Sequence, residues 1–587
     1  MARQNQPSQI LKPKNFKFTF IKLMKTLKPY SLTIIFGLIC SAISTILAII
    51  GPDQIKRIGT LILQKPIELN EVTSIAIGLL IIYISSFLFN YLQGFMLSGV
   101  TAKISKDYRN NLSRKINRLP LKYLDTTPTG DVLSRITNDV DLLSETLNSS
   151  LSSTITTIAT VIGSLIMMLS YSWKLTLIAI AILPISVIVM SIVVKFSQKY
   201  FKMQQDELGQ INGHIEEIYS GHNVISVYNA EDTALEKFDE INKKLFSSSY
   251  KGNILSGLMH PIMHFFGNIG YALIIILGGI MAINDITFVP VVIAFVTYYR
   301  MFNNEVSQVA NIFSTFQTTV AASERIFEFL EAEEQENEKN KNIKLTDIKG
   351  NIEFKNVNFG YIPEKQILYD LNVKIKGGQK VAIVGSTGAG KTTLVNLLMR
   401  FYEVNSGDIL IDGVSIKDLK RENVRKLFGM VLQDTWLFEG TIKDNIAYGK
   451  SNATKEDVIN VCKSAGIHHL IMSQPNGYDM ILTEDSNFSS GEKQLLTIAR
   501  AMLNDSPMLI LDEATSSVDT RTEVLIQKAM DKLMKNRTSF IIAHRLSTIV
   551  NADVILVMKD GRIVEKGNHE ELLSQNGVYS SLYKSQF

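Results

Sequence analysis

Two cysteines, Cys40 and Cys462, are all that 587 residues contain, one inside an apolar run and one in the more polar second half. That number and spacing build neither a disulfide framework nor a Cys-based metal site. Charge of one sign is equally scarce. Sixty Lys and Arg against 56 Asp and Glu leave a formal net charge of +4, too little over this length to mark a nucleic-acid-binding surface, so no nucleic acid is expected as a partner. The first 30 residues hold no apolar core followed by a small-residue cleavage site, and no removable signal peptide is expected.

What is present is unevenly spread. So long a chain exceeds what one core supports, and two or more domains are expected. Apolar residues crowd the first half, which implies a membrane part followed by a soluble part. A bilayer-spanning helix needs about 20 mostly apolar residues, and six segments are candidates: Ser31 to Ile50, Ser74 to Leu97, Leu151 to Tyr171, Leu175 to Val194, Ile254 to Ile283, and Phe288 to roughly Met301, the last running on into polar sequence. The fifth contains Pro261, where a bend is expected. Seven Lys or Arg precede the first span and eight lie between Thr101 and Ser150, whereas the opposite loops carry only Lys56, Arg57, Lys65 and Lys174. By the positive-inside rule the N-terminus, both long connections and the C-terminal half are cytoplasmic. Those two connections are patterned as helix throughout, so the helices are expected to project beyond the lipid. Their tips, near Tyr123 and near His214, read either as solvated turns or as segments docking on another domain. A charged, glycine-free stretch then leads to strand-like alternation from Ile343 onward.

The strongest chemical signal is "KVAIVGSTGAGKTTLVNLLMRF". A buried-strand run, Val381 to Val384, leads into Gly385, Ser386, Thr387, Gly388, Ala389, Gly390, Lys391, Thr392 and Thr393, then an apolar-periodic helix. This is a phosphate loop in its strand-loop-helix setting. Glycines let backbone N–H groups turn inward around phosphates, Lys391 supplies a point charge, and the Thr392 hydroxyl is a magnesium ligand. In "MLILDEATSSVD" an apolar strand ends in Asp512 and Glu513. Asp512 is suited to hold the metal or its water, and Glu513 to act on the attacking water as general base. "FIIAHRLSTI" is another strand, ending in His544, placed to contact the terminal phosphate. Gln433 ends a further strand as a neutral group within reach of metal or water. Tyr361 is either an adenine-stacking ring or a half-buried edge aromatic. "NFSSGEKQ", Asn487 to Gln494, opens a helix with small polar residues, an arrangement that caps the helix and also suits an anion.

In this order the elements resemble the nucleotide-binding domain of an ABC transporter, and the whole chain resembles an exporter-type half-transporter. The family's signature, usually Leu-Ser-Gly-Gly-Gln, is matched by Phe488-Ser489-Ser490-Gly491-Glu492. "RNNLSRKINRLPLKYLDTTPTGDVLSRITNDVD" is similar to the first cytoplasmic loop of the multidrug and lipid exporters. The resemblance implies a multidomain protein: a cytoplasmic elbow over 1–30, an all-α six-helix transmembrane domain over 31–328, a linker over 329–342, and over 343–587 an α/β P-loop ATPase domain with an antiparallel β subdomain and a helical subdomain. It implies ATP and Mg2+ as cofactors and a head-to-tail dimer in which Ser489, Ser490 and Gly491 bind the γ-phosphate held by a partner chain. Carried over likewise, Tyr361 stacks on adenine, Gln433 is the Q-loop glutamine, shared by metal and water, Asp519 belongs to the loop crossing the dimer interface, and His544 is the switch histidine. The tips near Tyr123 and His214 become coupling helices.

Phe488, Ser490 and Glu492 depart from the family pattern. Glu492 adds negative charge near a polyphosphate unless it points away, which favours a heterodimer with one weak site over a homodimer that has merely drifted. Aromatic and polar residues of spans five and six, His260, His264, Phe265, Phe266, Asn268, Tyr298, Tyr299 and Phe302, read either as a cavity lining for a small lipophilic substrate or as ordinary helix packing. ATP-driven export across the bilayer is the expected function, with an ATP-gated channel or regulatory ATPase as the alternative.

Overall fold

A computed structural model describes residues 15–64, 67–343, 345–362, 364–432, 435–450, 452–483, 488–512, 519–542 and 549–586, apart from the side chains at 260, 284, 310, 311, 313, 314 and 586. The chain divides into two compact units. The first is the chain up to Asn117 together with Thr129–Ala332, and the second is Arg118–Pro128 with Glu333–Phe587.

The first unit is helical. An amphipathic α1 (Phe16–Leu27) precedes the long α2 (Ser31–Leu63) and α3 (Leu69–Ile116). After the short α4 (Leu121–Thr126) and α5 (Thr129–Ser134), a π-turn over Arg135–Asp139 leads into α6 (Val140–Tyr171). Then come α7 (Trp173–Ser220), α8 (His222–Val227), α9 (Glu231–Gly257), α10 (Met259–Asn284) and α11 (Val289–Glu331). Among the described residues six helical stretches are long and apolar enough to cross a membrane. The expected bend in the fifth is a break at Leu258, with Pro261 in the first turn of α10, where the N–H that proline lacks would have no partner within α10.

Where lipid supplies no hydrophobic drive between helices, hydroxyls and tight packing join them. Ser44 donates to the Ser86 carbonyl at 2.8 Å, and the Tyr298 hydroxyl donates to the Ile49 carbonyl at 2.7 Å. Around that second bond lies a core of Ile49, Met168, Ile274, Phe295, Tyr298, Tyr299 and Phe302. Tyr298, Tyr299 and Phe302 are therefore packed at 0 %, 2 % and 4 % exposure. The cavity-lining reading of these three is corrected: their rings fill the space between α2, α6, α10 and α11. Phe265 and Asn268 are exposed and Phe266 half-buried.

The second long connection also differs from expectation. His214 is not at a tip; it is buried in α7 against α9, its Nε2 at 3.0 Å from the Ala234 carbonyl oxygen. The turn falls at Gly221, and α8 carries the exposed Val224 and Val227.

Among its described residues the second unit holds three sheets. β1 (Ile352–Phe359), β2 (Leu368–Ile375), β4 (Ser406–Ile411) and β5 (Val414–Ser415) form an antiparallel sheet in the order β2-β1-β4-β5. β3 (Lys380–Val384), β6 (Phe428–Val431), β9 (Met508–Asp512), β10 (Thr538–Ile542), β11 (Val554–Lys559) and β12 (Arg562–Gly567) form a six-stranded sheet ordered β12-β11-β3-β10-β9-β6, parallel except for β12. β7 (Gly440–Thr441) and β8 (Ile481–Leu482) pair beside the helical part. The helices are α12 (Lys391–Leu398), α13 (Arg421–Lys426), α14 (Ile442–Ala447), α15 (Lys455–Ala465), α16 (His468–Met472), α17 (Ser490–Asn504) and α18 (Thr520–Met534), with two more at the C-terminus.

A parallel sheet buried on both faces needs near-continuous apolar strands, and β3 supplies one. Val381 and Ile383 enter the core shared with β1, β2 and α12, while Ala382 and Val384 enter the core shared with α17 and α18. The segment expected as a linker is partly helical, since α11 runs to Glu331, and partly anchored. Glu338 meets Arg400 at 2.9 Å and Arg421 at 3.1 Å. Burial pushes the Glu338 carboxyl up, but the bond from the Arg421 amide and the two guanidinium charges outweigh it, holding the group below the usual carboxylate range.

Candidate functional site

Parallel strands end together, and ligands of such sheets bind beyond their carboxyl ends. In the pairing register Ile383 of β3 stands beside Ile542 of β10, which stands beside Asp512 of β9. One row of the sheet thus delivers the phosphate loop, the Asp512 carboxylate and the start of the segment carrying His544 to the same end of the sheet. Glu513, His544 and Gln433 lie outside the described residues.

The loop from Gly385 to Gly390 closes tightly over β3. Gly385 has φ +156, and a Cβ there would stand 2.3 Å from the Met558 carbonyl oxygen; Gly390 has φ +99, and a Cβ would strike Leu368 at 2.6 Å. Only glycine meets both demands. The Ala389 amide donates to the Ser386 carbonyl at 3.2 Å, while Ser386, Thr387 and Gly388 are exposed at the mouth of the cradle. The Lys391 ammonium donates to the Gly385 and Ser386 carbonyls at 2.7 and 3.0 Å. Burial lowers its pKa, opposed by the charge of Asp512. A half-buried cation held by loop carbonyls gains when an anion arrives. Thr392 is exposed on the first turn of α12, whereas Thr393 is buried with its hydroxyl 3.2 Å from that of Tyr361. Tyr361 is half-buried, with ring centroids 5.0 Å from Phe359 and 4.8 Å from Tyr402.

The signature segment caps α17. The Ser489 Oγ accepts from the Glu492 amide at 3.3 Å, and the Glu492 carboxylate accepts from the Ser489 amide at 2.8 Å. This reciprocal capping box locates Glu492: its charge does not point away but sits at the N-terminus of the helix, on the donor that an anion would use. Gly491 is buried, and Phe488, which replaces the usual Leu, keeps an apolar role at 7 % exposure in the helical core. Asp519 caps α18 by accepting from the Thr522 amide at 2.9 Å, a bond that holds its carboxyl below the usual range.

Sequence reasoning missed Arg400 and Tyr402. The Arg400 side chain is 1 % exposed and also donates to the Leu419 carbonyl at 2.7 Å. The Tyr402 hydroxyl donates to Asp125 of α4, while Gln335 donates from Nε2 to the Leu119 carbonyl at 2.8 Å. These residues carry no motif, because their roles arise from partners distant in sequence.

A glycine-built anion cradle at the carboxyl end of a two-faced parallel sheet, with a carboxylate ending the strand two places away, defines a P-loop ATPase, here on the same chain as a six-span membrane unit. The match extends to known proteins. Residues 34–306 match the family model described as ABC transporter transmembrane region, and 368–516 the model described as ABC transporter. The fatty acid ABC transporter ATP-binding/permease protein of Mycobacterium tuberculosis is 43% identical over 507 residues, covering 86% of this chain and 80% of the relative. The ATP-dependent lipid A-core flippase of Syntrophus aciditrophicus is 34% identical, covering 97% and 94%. The putative multidrug export ATP-binding/permease protein YgaD of Bacillus subtilis is 34% identical, covering 96% and 99%. The chain belongs to the ABC transporter family, as an exporter-type half-transporter with its membrane domain ahead of its ATPase domain. It is a multi-pass membrane protein that binds and hydrolyses ATP and works as a dimer.

Proposed function

We propose that this chain and a second half-transporter clamp ATP between the phosphate loop of one and the signature helix of the other, and that the clamp drives export of amphipathic or lipophilic compounds by alternating access. The observation that carries this reading is the presence on one chain of two unlike anion sites: the Lys391 cradle, and the capped start of α17 at Ser489. In the closed dimer each is completed by the other protomer. Tyr361 stacks on adenine, Glu513 acts as general base, His544 contacts the γ-phosphate, Gln433 orients water or metal, and Asp519 lies at the interface. The segments around Tyr123 and α8 transmit closure.

The residues fit magnesium. Thr392 offers an exposed hydroxyl on the first turn of α12 and Asp512 a carboxylate at a strand end, the sparse protein ligation expected where phosphates and water complete the shell. When bound, the ion neutralises charge on the phosphates.

Glu492 favours a heterodimer. Its carboxylate occupies the Ser489 amide, so the nucleotide facing this signature is bound weakly, while this chain's own cradle faces the partner's signature. The relatives named for fatty acid, lipid A-core and multidrug export support an amphipathic cargo. They also support a bacterial cytoplasmic membrane, with both termini cytoplasmic by the Lys/Arg bias. Population inversion between inward-open and outward-open states requires ATP to favour the closed form by roughly 5 kcal/mol.

The test is uphill accumulation in sealed vesicles. Glu513→Gln is expected to retain ATP binding, stop phosphate release and abolish accumulation. Brisk phosphate release by that variant, or accumulation without ATP, refutes the reading.

A further inference from the structure

Charged residues inside a membrane helix are costly and call for partners. Two such residues in this chain have them. Asp53 lies 3.7 Å from Lys56 and 3.3 Å from Arg57 and accepts from Tyr171; Glu305 accepts from the Thr157 hydroxyl. Arg300 differs. Its guanidinium stands 4.6 Å from the centroid of the Tyr271 ring, and among the described residues no carboxylate pairs with it. Arg300 follows Val289, the first residue of α11, by 11 residues. It lies inside the 24-residue apolar stretch Ile286–Val309, about 21 Å from its start at about 1.5 Å per residue.

Its surroundings are polar on one face only. Thr297, Arg300, Asn304 and Gln308 recur at intervals of three, four and four residues, one face of a helix. Arg300, Asn304 and Gln308 are exposed, while Phe295, Tyr298, Tyr299 and Phe302 on the other face are core. The antiparallel α10 sets His264 and Asn268 in line with Tyr271 at the same helical spacing, and both are exposed. A stripe of this composition does not face lipid. The ring beneath Arg300 holds the cation while leaving its N–H fork open to a planar or tetrahedral oxyanion.

We propose that Arg300, seated on Tyr271, binds the oxyanion headgroup of the cargo, so that the transporter selects amphiphiles carrying a carboxylate or phosphate on an acyl chain. This rests on the export reading above and names its substrate class. Asn304, one turn along, adds neutral hydrogen-bonding capacity. A carboxylate of a second copy is the weaker candidate for this role, because Asp53 and Glu305 are already engaged within their own protomer.

The full transporter, reconstituted in liposomes, is tested with three probes of one chain length: a fatty acid, its methyl ester and a lysophosphatidate. In Arg300→Gln the half-saturating concentration for ATP-driven uptake of the anions is expected to rise about tenfold or more, the loss of one charge-assisted contact. The ester is expected to be unaffected, and Arg300→Lys to recover part of the difference. A rise for the fatty acid alone assigns the head as carboxylate, and for the lysophosphatidate alone as phosphate; either supports the proposal. Tyr271→Leu, which leaves the charge in place, is expected to give a smaller loss with the same anion selectivity, and it stands in should Arg300→Gln fail to fold. Equal shifts for acid and ester, no shift, or loss of dimer assembly by Arg300→Gln overturn the proposal. If wild type moves amphiphiles without regard to Arg300, export stands and this assignment falls; if wild type moves none of the probes, the export reading falls with it.

Discussion

Replacing Glu492 by Gln isolates a single charge. The reciprocal bonds between residues 489 and 492 are of a kind Gln makes as well as Glu, so the helix start keeps its cap and stability changes by less than about 0.5 kcal/mol. What is removed is a carboxylate at the point where a partner's γ-phosphate must dock. Taking roughly 6 Å between the two groups and an effective dielectric of about 40, the repulsion is 332/(40 × 6), about 1.4 kcal/mol, or a factor of about ten in affinity. The expected result is an apparent KM for ATP about tenfold lower at the site completed by this helix. The gain should shrink as salt is raised, since the screening length falls to about 8 Å at physiological ionic strength. Ser489→Ala should move the other way, because it removes both cap and donor. Phosphate release by the assembled transporter, measured against ATP concentration at two ionic strengths, decides the matter. An unchanged or higher KM in Glu492→Gln, or a gain indifferent to salt, refutes the placement of this carboxylate against the nucleotide.

Lys391→Ala should weaken ATP binding by about 10- to 100-fold, the loss of one charged hydrogen-bonding partner, measured by nucleotide titration of the full protein. Arg400→Met should destabilise the ATPase unit by about 3 kcal/mol, because it strips a buried ion pair of one partner; adding Glu338→Leu should restore part of it, and thermal unfolding of both variants in detergent provides the check. Glu338 itself titrates below the usual carboxylate range in the folded protein, so its contribution is present at neutral pH and is lost as pH falls through the ordinary glutamate value toward the depressed one; Glu338→Gln should flatten that acid limb of the unfolding curve. Tyr402→Phe, which deletes the hydroxyl bonded to Asp125, should leave ATP binding intact and reduce substrate stimulation of ATPase several-fold, read as the ratio of stimulated to basal turnover.

How much of this was legible beforehand follows from where each signal resides. The phosphate loop could be read because its demands are local. Two glycines at forced backbone angles and a lysine one residue after the second fall within seven consecutive positions, Gly385 to Lys391, and β3 announces itself by apolar residues on both faces. The capping role of Ser489 was equally local. The orientation of Glu492 was not, since a carboxylate three residues into a helix can turn back or outward, and only the bond to the Ser489 amide distinguishes the two. Tyr298, Tyr299 and Phe302 looked like a lining because aromatic spacing on one helix does not reveal what packs against it; the Ile49 carbonyl that Tyr298 bonds is 249 positions away. His214 misled for the same reason: its partner is the carbonyl of Ala234, across a turn whose position the sequence left open. Arg300 was not singled out in the sequence, because its seat on Tyr271 and its lack of a carboxylate emerge only once the neighbouring helices are in place.

The second unit is assembled from two stretches of chain, because Arg118–Pro128 folds with it through Gln335 and Tyr402. A cut placed between the membrane helices and the ATPase would therefore not yield the whole of that unit. A fragment beginning at Glu333 leaves Tyr402 without its acceptor, and a chimera that exchanges ATPase halves between relatives brings a foreign surface to eleven residues it did not replace. Engineers of such hybrids should transplant both stretches together, treating the loop as part of the motor although it is encoded among the spans.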